Sequence, residues 1–284
     1  MVEPATRMVS VVVTGALVAG LSAGALLSAQ GGASAAPTQA TPSLAASAEQ
    51  LPVLLPNARP LRAADLSITG KPDGRRVLRF ESGLANTGRS VLQVRPDGTE
   101  GCPQGEQHAS QVLFRDANSN GWYDRGLDTQ RVVHDAGCMV FHPSHNHWHF
   151  EAAARYALWD PQRASRPLLV QGRKMSFCLR DTERVPERWQ PARRYPDYYG
   201  DCFRHTPQGI SVGWVDIYGS YLPGQSLTLP RRLPPGLYCL RTTVDPRNYL
   251  RESSDADNHS LRAVRISGTH LSVKPSRRCN GIPR

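Results

Sequence analysis

"FHPSHNHWHFEAAARYALWD", residues 141 to 160, can be read as either of two elements. Its alanines favour a helix. Its histidines alternate as His145, His147 and His149, which is the period of a strand. The alternation runs into the alanines without a cap or a break, so the whole stretch is expected to be a strand. On a strand, residues i, i+2 and i+4 share one face, about 7 Å apart between successive Cα atoms. Three imidazoles on one face, beside Phe141, Trp148 and Phe150, predict a metal site. Neutral imidazole suits Zn, Cu, Fe and Ni, and Cu(II) binds most tightly in the divalent series. His142 is expected on the opposite face, in a supporting role.

Outward from this stretch, short β-like runs alternate with Gly/Pro punctuation: "RRVLRFESGLANTG", "SVLQVRP", "PPGLYCLRTTV" and "SLRAVRI". The expected fold is mostly β: a single sandwich-like domain with long loops and few short helices. The 284 residues carry a formal net charge of +10. The arginines are scattered (Arg75, Arg76, Arg193, Arg194, Arg231, Arg232), with no basic run interleaved with aromatics. No nucleic-acid partner is therefore expected.

Arg7, the apolar run from Met8 to about Leu27 and the small residues of "GGASAAP" read as a signal peptide over residues 1–36. A low-complexity linker over 37–57 and a folded domain over 58–284 are expected to follow. The product would be secreted, with no membrane attachment after cleavage. Export would place the six cysteines in an oxidising compartment. Chain proximity suggests Cys102–Cys138, Cys178–Cys202 and Cys239–Cys279 among fifteen connectivities.

Two chemistries fit three histidines. A zinc hydratase or hydrolase would activate water at an open fourth position; "HNHWHF" is similar to a segment of α-type carbonic anhydrases. A copper oxidase needs a partner able to hold two electrons. Four blocks bear on the choice: "HPSHNHWHF" (142–150), "GRKMSFCLRDTER" (172–184), "HTPQGISVGWVDIYG" (205–219) and "LPPGLYCLRTTVDPRNYLRESSDADNH" (233–259). In that order they resemble the lysyl oxidase catalytic domain of secreted microbial proteins, over about residues 60 to 270.

The resemblance implies copper on His145, His147 and His149. It also implies a lysine tyrosylquinone made from Lys174 and Tyr218, and oxidative deamination of a primary amine, small or peptidyl lysine. Only three lysines occur in the chain, Lys71, Lys174 and Lys274. A lysine at this place is informative, because arginine cannot lose its proton to serve as the nucleophile. Asp216 is the expected base, with His205 as a second candidate.

Calcium is expected at two places. "RESSDADNH" offers Glu252, Asp255, Asp257 and Asn258, which the resemblance pairs with Asp65 and the Leu66 carbonyl. His259 stands where the family has a second asparagine. "DANSNGWYD" offers Asp116, Asn118, Asn120 and Asp124 with Gly121 at the turn, like the start of an EF-hand loop. Leu127 stands at position twelve instead of Glu, and an Asn/Gly-rich hairpin loop is an equal alternative. A calcium-stabilised binding module without catalysis remains the third reading of the whole chain.

Overall fold

The computed structural model describes residues 49–282 apart from 134, 164, 166, 173 and 174. Lys174 and the stretch expected to be a leader lie outside the described residues. Among the described residues, two antiparallel sheets form the domain, and helix is limited to 3-10 turns at Glu187–Trp189 and Ser276–Cys279. Among the described residues, no helix is long and apolar enough to cross a membrane.

The alanines and the last two of the alternating histidines do lie on a strand. His147–Trp159 runs for 13 residues through the middle of the larger sheet, between Cys138–His142 and Gly236–Val244. Its alanines do not make a helix because the strand is buried on both faces. Ala152, Ala154, Tyr156 and Leu158 enter the core on one parity, while Ala153 and Ala157 are covered on the other. Strand preference measures fit to a half- or fully covered pleated surface, and small side chains fit where neighbouring layers come close.

The smaller sheet is organised around Arg76–Asn86. That strand pairs with Trp214–Tyr218, Ser226–Thr228, Ala58–Pro60 and Ala64–Gly70. Leu78, Phe80 and Leu84 from it share one core cluster with Phe150, Tyr156, Leu158 and Leu240 from the larger sheet. Each such side chain contributes roughly 1.5–3 kcal/mol when buried. Ser82, Tyr156 and Gln225 satisfy one another inside this core, the Ser82 and Tyr156 hydroxyls lying 2.6 Å apart.

All three expected disulfides are present: Cys102–Cys138, Cys178–Cys202 and Cys239–Cys279. The folded domain begins earlier than position 58. Val53–Leu54 already pairs with Glu106–Arg115, and the Leu51 carbonyl accepts a hydrogen bond from Arg115 at 3.1 Å.

Candidate metal and cofactor site

Strand periodicity alone does not assemble the histidines. Cys138–His142 and His147–Trp159 form a hairpin in which His142 stands opposite His147. The four connecting residues make a turn closed by His145 N donating to His142 O at 3.1 Å, with Asn146 at φ 55°. His145 is therefore in the turn, not on the strand, and only His147 and His149 share a strand face. Proline, serine and asparagine in "PSHN" are turn residues, a signal that the alternation of histidines obscured. His142 is corrected too: it lies on the neighbouring strand, its ring stacked 4.1 Å from His145 and 5.1 Å from His149. Its Nδ1 is 3.0 Å from the Ser144 hydroxyl.

The three histidines converge. Their nitrogens can be chosen within 4.8 Å of one another, and His147 Nε2 lies 3.1 Å from His149 Nε2. Two nitrogens each about 2.0–2.1 Å from one ion, at 90–110°, would lie about 2.8–3.4 Å apart, so the donor set fits a transition metal. Burial, followed by the neighbouring imidazoles, lowers the proton affinity of His149 to a pKa of about 4, and His147 is lowered for the same reasons. Neutral lone pairs are thus available well below pH 7. The unfolded chain protonates this histidine near its ordinary value of 6.5, whereas the folded chain resists until about 4. Stability contributed by neutral His149 is present above pH 6.5 and is lost as pH falls toward 4. Metal-free protein should lose denaturant resistance between pH 7 and 5, and His149→Gln should flatten that loss; parallel slopes would refute the assignment.

Tyr218 reaches the same place from the other sheet. It ends strand Trp214–Tyr218, and its ring stacks on Phe177 at 3.7 Å between centroids. Phe177 in turn pairs with Phe150, the residue after His149. A cavity of about 450 Å3 is lined by all three histidines, Tyr218, Cys178, Cys202 and Phe203, with Arg180 and Asp201. Lys174 lies outside the described residues.

The Tyr218 hydroxyl lies 2.6 Å from the Cys178 carbonyl and 2.8 Å from Asp216 Oδ2. One phenolic proton cannot serve both. Asp216 is almost wholly buried, and burial pushes its carboxyl well above the usual range. A neutral Asp216 donating to the phenol oxygen, with the phenol donating to Cys178 O, satisfies every group. Burial and Asp216 also push the Tyr218 phenol well up. Asp216 does not line the cavity, so its position suits it to hold Tyr218 rather than to meet a substrate as the expected base. His205 lines a different cavity, with Arg95, Trp148 and Arg204.

The calcium expectations need revision. Glu252 accepts from Ala58 N at 2.6 Å and from Asn258 Nδ2 at 2.6 Å, and Asn57 Nδ2 donates to Asp257 at 3.3 Å. Asp65 is not in this group. Ala58 pairs with Asn86 and Ala64 with Glu81, five residues along one strand, about 17 Å at the strand rise. The Asp65 carboxylate instead accepts a hydrogen bond from Ser220, and Leu66 goes with it. Asn57 and Ala58 occupy the place expected for Asp65 and Leu66. In the second loop, Asp116 accepts from Asn120 N and Gly121 N at 3.1 and 2.7 Å. Asp124 takes Asn118 and Asn120 amides and the Arg193 guanidinium, which hold it well below the usual carboxylate range. Arg193 pairs with Asp124, and the segment joins the antiparallel strands Glu106–Arg115 and Thr129–Val133 as a hairpin loop.

A comparison with known protein families aligns residues 119–276 with the lysyl oxidase model. The chain belongs to the lysyl oxidase family. It is 33% identical over 132 residues to human protein-lysine 6-oxidase, across 46% of this chain and 28% of that protein. The pig protein-lysine 6-oxidase matches at the same identity over 48% of its own length. Chicken lysyl oxidase homolog 2 is 25% identical over 182 residues, 61% of this chain and 22% of the relative. The chain thus spans less than half the length of each of these relatives. Sequence reading had not singled out Phe177, Arg180, Asp201 or Phe203. Phe177 and Arg180 both lie in the quoted block 172–184 beside Lys174, whereas Asp201 and Phe203 carry no local signal.

Proposed function

We propose that this lysyl oxidase family member is an exported copper- and quinone-dependent amine oxidase. Its reaction would convert a primary amine, oxygen and water into an aldehyde, ammonia and hydrogen peroxide. The observation that carries the reading is the meeting of three convergent histidines and Tyr218 around one cavity. When bound, copper and a lysine tyrosylquinone supply the two-electron redox chemistry that no side chain offers. His145, His147 and His149 would hold the ion. Phe177 fixes the plane of the Tyr218 ring, while Cys178 O and Asp216 fix its oxygen. Arg180 and Asp201 pair at 3.1 Å in the cavity wall, and Asp201 is the one acidic residue lining it among the described residues. Arg180 offsets that carboxylate's charge, so Asp201 offers an ammonium group a hydrogen-bond acceptor rather than a net attraction. Substrates would be primary amines, free or at the end of a peptidyl lysine. The deciding experiment treats copper-loaded protein with a carbonyl reagent. The reading expects covalent staining on the Tyr218 peptide and peroxide release with amines; unstained, inactive copper protein would return the site to zinc-type hydrolysis.

Calcium would act as a structural ion at the Glu252 group. Asn258 Oδ1 is buried without a hydrogen-bond partner, and burial raises the Glu252 carboxyl to a pKa of about 8. A dication would give the first a partner and return the second to a carboxylate. Chelation of calcium should then lower the melting temperature, because an ion bound only by the folded state stabilises it by mass action. Asp255→Ala should blunt that response and Asp65→Ala should leave it intact. Equal responses in all three proteins would remove the site.

A further inference from the structure

The end of the larger sheet, formed by His259–Ser267 and His270–Lys274, carries a second kind of site. A cavity of about 540 Å3 there is lined by Gln162, Leu237, Arg265, Lys274 and Arg278. It shares no residue with the histidine cavity. Every polar side chain in its wall presents donors. Gln162 Oε1 is already taken by Leu237 N at 2.6 Å, which leaves its NH2 group. No carboxylate lines it. The nearby Asp160 is engaged by Gln162 N at 2.9 Å and by Arg163 at 3.3 Å. Among the described residues, Arg265, Lys274 and Arg278 take part in none of the ion pairs.

These three cations stand on rigid supports. Arg265 sits in a ladder between Leu237 and Ser272, and Lys274 pairs with Ala263. Arg278 lies in the 3-10 turn Ser276–Cys279, whose last residue is buried and bridged to Cys239. Like charges around one concavity repel, and the repulsion becomes attraction once an anion sits among them. Guanidinium forks suit oxyanion edges, and a lysine ammonium adds a point charge.

We infer that this cavity binds a multiply charged oxyanion, either free or as neighbouring phosphate or sulfate groups of a polymer. The site is independent of the amine chemistry. It is tested with the full domain and two matched triple variants that remove equal charge. One is Arg265→Gln, Lys274→Gln and Arg278→Gln. The other alters the exposed Arg194, Arg231 and Arg232 to Gln. Pyrophosphate at a hundredfold excess over its Kd should raise the melting temperature of the parent and the control by roughly 5 °C and leave the site variant unmoved. A second arm elutes the three proteins from immobilised sulfated polysaccharide. Earlier elution of the site variant alone assigns the oxyanion to a polymer; equal elution with the pyrophosphate response intact assigns it to a free anion. If both triple variants behave alike in both arms, attraction is only that of net charge and the site is overturned.

Discussion

Replacing His147 with Ala should abolish tight copper binding and bring amine-driven peroxide release down to background. His147 and His149 place their Nε2 atoms 3.1 Å apart, and His145 completes the set from the turn. Two remaining nitrogens would leave a weak, open site. The same outcome is expected for His145→Ala and His149→Ala. His142→Ala should be milder, costing roughly 10–100-fold in metal affinity, as is usual for groups that orient ligands without binding the metal. Its ring stacks against His145 and His149 and is hydrogen-bonded to the Ser144 hydroxyl. Metal analysis of the purified variants, with melting curves to show that each is folded, decides the matter. Full copper stoichiometry in the His147 variant would falsify the ligand set.

Lys174→Arg should keep the fold and the copper while losing the visible chromophore and all turnover. A guanidinium stays protonated and cannot add to an oxidised ring. Tyr218→Phe should behave alike for a different reason, because it lacks the phenol oxygen on which oxidation depends. The parent digest should yield a Lys174–Tyr218 crosslinked peptide, absent from both variants. Turnover at the parent rate in Lys174→Arg would sink the quinone assignment and leave the histidines to a zinc-type chemistry.

The strand through the histidines was legible because alternation outweighed alanine content, and pairing on both edges decided the same way. Its first histidine was misplaced because residues i and i+2 alternate in a turn as they do in a strand. Only the turn residues Pro143, Ser144 and Asn146 distinguished the two. The cysteine pairs could be read from proximity, since each bridge closes a loop of no more than 40 residues. The Glu252 group could not be assembled by local pattern. Its partner Asn57 lies 200 residues from Asp257, and Asp65 offers a chemically better ligand in the wrong part of the sheet. The partner of Asp124 was hidden for a similar reason: the guanidinium beside it comes from Arg193, 69 residues on. Contacts between distant segments are set by sheet register, which composition and spacing do not encode.

The Cys178–Cys202 bridge forms part of the wall of the histidine cavity. Were it open, two soft sulfur ligands would face a metal meant for imidazole nitrogens. Thiolate and thioether donors prefer cuprous copper, whereas imidazole also suits the cupric ion. On the proposed copper reading, closing the bridge would remove competing ligands from the wall. The bond would then act as a chemical gatekeeper, tying which ion the histidines capture to the redox poise of the compartment in which the chain folds.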